Sequence, residues 1–510
     1  MKAVVSPSAD LATTGRRLDA SYHASDGVLA ARCVRRWEAG RNSDTQGSRA
    51  ACEPAGTYRT GGRLQTLADV CVNNGIFIPS RFKRIFVDDP QHGVPYLTGG
   101  SILQADPLAG AKHISRRFTS NLEELALRER MILVTCSGTV GNSVYVNGCF
   151  GEAVGSPDLL RVVADPAKVP PGYLYAFLTS PMGKALITQQ TYGAVVPHVE
   201  AHHVVGLPIP RLDRDTEERI HALIERAAAL RTRAGARLKE SKRRFQRKVL
   251  GLDPDLHSWR YGNEHARGIG VAWVQTQRPR LDAFHHIGYA AEPEALLGSR
   301  VCLGELVRPY QPPQFKRPYA GNGAMPFLSG IDLYDAYPKP HMYISRRMPN
   351  LDRYIVEAGT VVVQRVGQRY GLFGRPTILP RHLDGVAVTE HLMRLHPMAA
   401  SDRGFIYIWL ATDCGRRLLL RQSCGTSMGV LSERSFSEMP VPVAESALRA
   451  TFERDVAAAL RRYQADVERW RSSHIRNRAI ETVVERHERE ALQRSERAAQ
   501  SELDEQVSRR

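Results

Sequence analysis

At 510 residues, 43% hydrophobic and 24% charged, the chain is long enough for two or more globular domains, each with its own core. No apolar run of about 18 residues occurs, which speaks against a membrane-spanning helix. Val4–Leu11 is too short and too interrupted for a signal core, so a cytoplasmic location is expected. Seventy Lys+Arg against 53 Asp+Glu give a net charge of +17, a balance that draws polyanions, nucleic acid first among them.

The first element in chain order is Arg17-Leu18-Asp19-Ala20-Ser21-Tyr22-His23, followed by a polar, Gly-rich stretch between Ala39 and Gly62 that reads as an inserted loop. Next come Arg81-Phe82-Lys83-Arg84, Val94-Pro95-Tyr96-Leu97-Thr98-Gly99 and Ile114-Ser115-Arg116-Arg117. Ile132-Leu133-Val134 is a short strand entering a turn, and Gly172 to Thr188 reads as one buried helix. Leu207-Pro208-Ile209-Pro210 must be extended, because proline removes a donor and biases its predecessor away from helix, so it makes a last edge strand. A long helix then starts at Asp215, with Glu218 completing a capping box. Its seam is Ile220, Leu223, Ala227, Leu230 and Ala234, and its length to Leu250 is on the order of 50 Å.

All of this recurs. Arg280-Leu281-Asp282-Ala283 opens a second unit, and Gln314-Phe315-Lys316-Arg317, Met325–Gly330 and Ile344-Ser345-Arg346-Arg347 repeat the first unit's segments in order. The strand Val361-Val362-Val363 follows, then a second buried helix from Gly404 to Gln422, then Met439-Pro440-Val441-Pro442. Gly404, Ser423 and Met439 stand 232 positions after Gly172, Thr191 and Leu207. Elsewhere the spacing drifts between 230 and 233, except at the openings, where it is 263; the 31-residue excess fits an insertion in the first unit, centred on the polar segment between Ala39 and Gly62. The second long helix carries a seam of Phe452, Val456, Leu460, Tyr463, Val467 and Trp470. The expected architecture is mixed α/β: similar units over residues 1–212 and 253–444, separated by long helices over 213–252 and 445–490 that pair antiparallel, and a charged extension over 491–510.

The two R-L-D-A openings, the Ser137–Gly141 turn, Gly172–Leu178 and Gly193-Ala194-Val195-Val196-Pro197-His198 leading through L-P-I-P into a long helix resemble the specificity subunit of type I restriction–modification systems, over roughly residues 16–490. The resemblance implies two target recognition domains that each read half of a split site on double-stranded DNA. It also implies a helical spacer that docks methyltransferase subunits, two of them, which in turn can recruit restriction subunits, and no membrane association. The second unit departs from the pattern, with Val366–Gly371 in place of the Ser-Gly-Thr-Val-Gly turn and Thr426–Val430 in place of V-V-P-H.

Reading base edges and phosphates needs Arg, Lys, Asn, Gln, Ser and aromatic side chains on loops. The candidates are Arg81, Lys83, Arg84, Arg116, Arg117, Asn142, Tyr192 and His198 in the first unit, and Lys316, Arg317, Arg346, Arg347, Gln364, Arg365, Gln368, Arg369 and Ser427 in the second. His198, His202 and His203 lie between Pro197 and Gly206, a poor setting for a helical metal site, and no metal is expected. There is no G-K-[ST] phosphate loop, no convincing G-x-G-x-x-G, no [ND]-P-P-[FY] tetrapeptide and no nuclease carboxylate cluster. The eight cysteines form no C-x-x-C pair and read as reduced thiols. The expectation is therefore a chain with no catalytic residue and no cofactor. The competing readings are a fused restriction–modification enzyme or nuclease with an unrecognised site, and a helical scaffold whose charge is incidental.

Overall fold

The computed structural model describes residues 63–87, 91–192, 196–254, 296–321, 323–368, 371–425 and 428–473, with isolated positions beside them. The two R-L-D-A openings, the 39–62 segment, Gly193–Val195 and the C-terminal extension lie outside the described residues.

Ile132–Thr135 is buried at all four positions, the expected burial of a continuous apolar run covered on both faces. It belongs to an inner antiparallel sheet whose spatial order is Cys71–Phe77, Leu159–Ala164, Ile132–Thr135, Ser143–Tyr145. The second unit builds the same sheet as Val307–Tyr310, Leu392–Pro397, Val361–Gln364, Pro376–Ile378. An outer sheet follows in each. The first runs Phe86–Val87, Lys112–Ser115, Gly93–Leu97, Val154–Gly155, and the second Met342–Ile344, Met325–Leu328, Val386–Val388, Ile355–Val356. Each outer sheet contains one parallel pair at the same place, Tyr96 beside Val154 and Phe327 beside Ala387. Both halves thus fold alike, and the duplication read in the sequence is a duplication of topology. The proline-flanked segments close each unit as two-stranded ribbons, Pro208–Pro210 on Leu64–Thr66 and Pro440–Pro442 on Arg300–Cys302.

Six principal helices cover these sheets: α1 (Pro171–Leu178), α2 (Pro181–Gln189), α3 (Arg214–Lys248), α4 (Arg403–Ala411), α5 (Asp413–Arg421) and α6 (residues 446–473). The single buried helix expected from Gly172 to Thr188 is two, because Ser180 caps a new helix by accepting from the Gly183 N–H at 3.1 Å and Pro181 cannot continue the old one. Thr412 does the same before Gly415 at 3.0 Å, which splits the helix expected from Gly404 to Gln422. The start of α3 also differs from expectation. Asp213 is its cap, accepting from the Thr216 N–H at 2.9 Å, while Glu218 pairs with Arg214 at 2.6 Å.

Gly172 and Gly404 let α1 and α4 meet the long helices. A Cβ at Gly172 would lie 2.7 Å from His221 Nδ1, and one at Gly404 would lie 2.4 Å from Glu453 Cα. The backbone N–H of Gly172 donates to His221 Nδ1 at 3.0 Å, and that of Gly404 to Glu453 Oε2 at 2.7 Å. His221 and Glu453 are themselves 232 positions apart.

The long helices α3 and α6 pack antiparallel. The Phe245 and Phe452 rings lie 5.3 Å apart, Ser241 donates to Asp455 at 2.7 Å, and Arg231 pairs with Asp466. Fourteen residues back along α3 (245 to 231) are thus matched by fourteen forward along α6 (452 to 466). The buried stripe of α3 is Ile220, Ile224, Ala227, Arg231, Ala234, Ser241 and Phe245, at heptad spacing but one residue off the expected seam at Leu223 and Leu230. Facing it, Asp455 and Asp466 are buried on α6, whereas Leu460, Tyr463 and Trp470 are only partly so. Each helix starts on one unit and ends on the other: α3 passes from Gly172 to Phe405 and Trp409, and α6 passes from Gly404 to the Trp470 contact with the first unit's core.

At the midpoint lies a buried polar hub. The Arg231 guanidinium pairs with Asp466, stands 4.3 Å over the Tyr337 ring and donates to the Ala336 carbonyl at 2.7 Å. Tyr337 donates to Asp466 at 3.0 Å and stacks on Trp470 at 4.4 Å. Beside the hub the two units clasp directly. The Ala105 N–H donates to the Tyr334 carbonyl at 2.9 Å, and the Ala336 N–H donates to the Leu103 carbonyl at 2.7 Å, around a Gln104–Asp335 bridge. Gln104 and Asp335 are 231 positions apart, so the same loop of each unit meets its counterpart, as in an isologous contact.

Removing one partner of the hub leaves a buried charge alone. Arg231→Met should therefore cost about 3–5 kcal/mol in a urea titration of the full chain, and the double variant Arg231→Met/Asp466→Leu should recover most of that loss. The clasp carries a pH signature. Burial, with Asp332 close by, pushes the Asp335 carboxyl up to about 7. Between about pH 4 and pH 7 the unfolded chain ionises this group freely while the folded chain resists, so stability falls as pH rises through that window. Wild type should lose on the order of 2 kcal/mol more than Asp335→Asn over it, measured as denaturation midpoints at pH 4 to 8.

Candidate nucleic-acid interface

The F-K-R segments are anchored by their phenylalanines. Phe82 meets the Tyr96 ring edge-on at 6.2 Å, and Phe315 meets Phe327 at 6.1 Å. With the ring turned inward, Lys83 and Lys316 face solvent. The chain then runs beside the outer sheet, where the Ser115 N–H donates to the Ile85 carbonyl at 2.8 Å and the Ser345 N–H donates to the Pro318 carbonyl at 2.9 Å. That repeated bond brings Lys83 and Arg84 beside Arg116 and Arg117, and Lys316 and Arg317 beside Arg346 and Arg347. The same serines fix the turns: the Ser115 hydroxyl accepts from the Phe118 N–H at 3.3 Å, and the Ser345 hydroxyl from the Arg347 N–H at 3.2 Å. Each unit thus carries a basic ledge assembled from two motifs about 30 residues apart in sequence.

The ledges are not identical. Arg84, Arg116, Arg117, Arg346 and Arg347 are exposed. Arg116 also donates to the Gly93 carbonyl at 3.1 Å and lies 3.5 Å from exposed Glu152, and Arg117 rests 5.4 Å from the Phe118 ring centre. Arg317 is half-buried, 3.3 Å from both Glu390 carboxylate oxygens and within 6 Å of the Phe315 and Phe327 ring centres at 5.9 and 5.7 Å. The first unit has Pro157 where Glu390 would stand, so Arg84 has no equivalent carboxylate.

A second group gathers at the turn of each inner sheet. In the first unit Gly138 and Gly141 adopt φ of 73° and 90°, the left-handed region, which lets the Ser137–Gly141 turn double back. The Gly138 N–H donates to the Pro197 carbonyl at 3.1 Å, and Tyr192 and His198 exchange backbone bonds at 2.9 and 2.8 Å. The Tyr192 hydroxyl donates to Glu200 at 2.6 Å, and the positive charge of Arg81 acts on that phenol. Asn142 is held by Lys184, whose ammonium donates to its side-chain oxygen at 2.7 Å. In the second unit Val366–Gly367 pairs with Gly429–Val430 at the matching place, and Gln368 is exposed. Gln364 donates to the Val366 carbonyl at 2.9 Å. Arg365 is turned inward: it is buried, donates to the Leu431 carbonyl at 2.8 Å, and burial lowers its affinity for the proton. It braces the turn rather than facing a ligand. Arg369 and Ser427 lie outside the described residues.

The histidine cluster is a polar turn. His202 and His203 lie with ring centres 3.9 Å apart, tilted by 45°, on a one-turn helix, Ala201–Val204, and the Glu200 N–H donates to His203 Nδ1 at 3.1 Å. Among the described residues no group of three or more His, Cys, Asp or Glu is placed to hold a metal ion.

Two structural residues were not singled out from the sequence. Arg161 and Arg394 are almost wholly buried, and among the described residues no carboxylate is bonded to either guanidinium. Arg161 donates to the Ser156 carbonyl at 2.9 Å and the Gly155 carbonyl at 2.8 Å; Arg394 donates to Leu392 at 2.8 Å and Val388 at 3.1 Å. Burial pushes both guanidinium groups down to about 10. Each belongs to an inner strand and grips an outer strand, at the Gly155 and Val388 carbonyls, and so ties the two sheets of its unit together. The repeat Leu159-Leu160-Arg161 and Leu392-Met393-Arg394, at a spacing of 233, was the available signal.

No protein-family model matches the chain, and no curated protein does. Solved structures are similar to it. One is the type I restriction–modification S subunit from M. genitalium, at 15% identity over 82% of this chain and 95% of that one, with a TM-score of 0.35. Another is the HsdS subunit from Thermoanaerobacter tengcongensis, at 16% identity over 84% and 98%, with a TM-score of 0.25. A third is a chain from a study of assembly and conformational transition in the type I R-M system, at 17% identity over 83% and 98%, with a TM-score of 0.24.

Arg161→Ala and Arg394→Ala each leave several buried carbonyls unbonded and a cavity. Each should destabilise its own unit by about 3 kcal/mol or more, seen as faster hydrogen exchange confined to that unit's outer sheet.

Proposed function

We propose that this chain is a non-catalytic DNA-recognition subunit of a type I restriction–modification complex, in which each unit reads one half of a split site on double-stranded DNA. The observation that carries the reading is the duplicated ledge. Two equivalent clusters of exposed cations are presented by equivalent outer sheets and held in one fixed relation by α3, α6 and the clasp. Clustered cations repel one another, and a polyanion relieves that repulsion. Phosphate contacts from Lys83, Arg84, Arg116, Arg117, Lys316, Arg346 and Arg347 would set register, while the inner-sheet turns at Asn142, Tyr192, His198 and Gln368 would address base edges. The helix pair would dock methyltransferase subunits, two by its internal symmetry, and through them restriction subunits.

Co-expression with a type I methyltransferase subunit should yield a stable complex and methylation at one split motif, mapped genome-wide. Absence of both overturns the reading. Replacing Lys83, Arg84, Arg116 and Arg117 together by alanine should flatten the slope of log affinity against log salt by about 3–4, near 0.9 per lost phosphate contact. The purified chain alone should leave DNA unaltered with Mg²⁺ or a methyl donor; cleavage or methylation would instead favour an enzyme.

A further inference from the structure

Each ledge carries an exposed aromatic ring at the same position. Phe86 is 47% exposed and Tyr319 is 61% exposed, 233 positions later. Phe86 pairs across the outer sheet with Ile114, and Tyr319 bridges to Ile344, the first residue of the corresponding I-S-R-R motif. Arg84, two residues before Phe86, is exposed, whereas Arg317 is joined to Tyr319 by a tight turn in which the Tyr319 N–H donates to the Arg317 carbonyl at 3.0 Å, and its guanidinium turns inward to Glu390. Continuing the first pairing by two residues places Arg116 across from Arg84, and in the second unit exposed Arg346 follows Ser345, whose N–H donates to the Pro318 carbonyl. The Phe86 ring is held from behind by the edge of Tyr96 at 6.1 Å, and the Lys112 ammonium stands 5.3 Å over it.

Among the described residues, other exposed aromatic residues do not repeat. Phe118 corresponds to buried Met348, and Tyr192 to Cys424. An aromatic ring left about half exposed at equivalent places in two diverged units, each time beside an exposed arginine of the I-S-R-R motif, lies outside the buried cores. The cations fix what it can meet. A surface that seats phosphates lays the ring against the neighbouring groove, and the apolar group a duplex offers in its major groove is the C5 methyl of thymine.

We propose that Phe86 and Tyr319 are specificity-determining residues, each making apolar contact with a thymine methyl in its own half-site. The assignment rests on the DNA-reading function proposed above. The test uses the full chain and the duplex it selects from a randomised library, with affinity followed by fluorescence anisotropy. Each thymine is replaced in turn by deoxyuridine, which removes only the methyl. One thymine in each half-site should show about fourfold weaker binding on replacement, the worth of one buried methyl group. Phe86→Ala should abolish that sensitivity in one half-site and Tyr319→Ala in the other, while Phe86→Leu keeps part of it; the melting temperatures of the variants should match wild type. If wild type selects a split sequence but no thymine is sensitive, or if the variants keep the full effect, the aromatic contact is overturned and the DNA-reading function stands. If wild type selects no sequence, both fall.

Discussion

The pairing of Arg231 with Asp466 is the constraint on which the arrangement turns. Two long amphipathic helices with apolar seams could pair in several registers, since an apolar seam slides by a heptad at modest cost. A buried guanidinium opposite a buried carboxylate permits one register only, because any slip strands both charges away from water. Asp455 adds a second lock: it takes bonds from Arg237, Ser241 and Arg244 on α3 at 2.7, 2.7 and 2.6 Å. Once that register is set, the positions of the two units follow. Gly172 seats α1 against His221, and Gly404 seats α4 against Glu453.

Near this centre the chain is close to two-fold symmetric, and the symmetry is used twice. The long helices exchange ends between units, and the loops at Leu103–Asp106 and Tyr334–Ala336 meet their own counterparts. Toward the ledges the symmetry relaxes. Glu390 draws Arg317 inward where Pro157 leaves Arg84 outward, and Arg365 braces a turn that in the first unit is made by glycines at positive φ. A shared frame with divergent surfaces is what the proposed reading of two different half-sites requires.

The repeat, the strands and the proline-flanked ribbons were legible because they depend on local pattern: β-branched runs, proline chemistry and constant spacing. The ends of the interior helices were legible in principle, since Ser180-Pro181 is a start signal, but the apolar run masked it. The seam was misplaced for a physical reason. A search for apolar heptads passes over Arg231 and Asp466, whose burial is favourable only because they face each other from 235 positions away. The same holds for the ledge. Its cations could be read, but their gathering depends on the Ser115–Ile85 and Ser345–Pro318 backbone bonds. The inward turn of Arg365 depends on the Leu431 carbonyl, 66 positions away.

The helix pair and the clasp keep the two heads at one separation. Energy transfer between bio-orthogonal dyes at Ala167 and Ala399, exposed and 232 positions apart in the two units, measures that separation in the full chain. The account predicts a single narrow distance that is the same with and without duplex DNA, and that broadens when Arg231 and Ala105 are replaced by alanine and proline to open hub and clasp together. A broad or multiple distribution in the wild-type chain, or one indifferent to that variant, would contradict it.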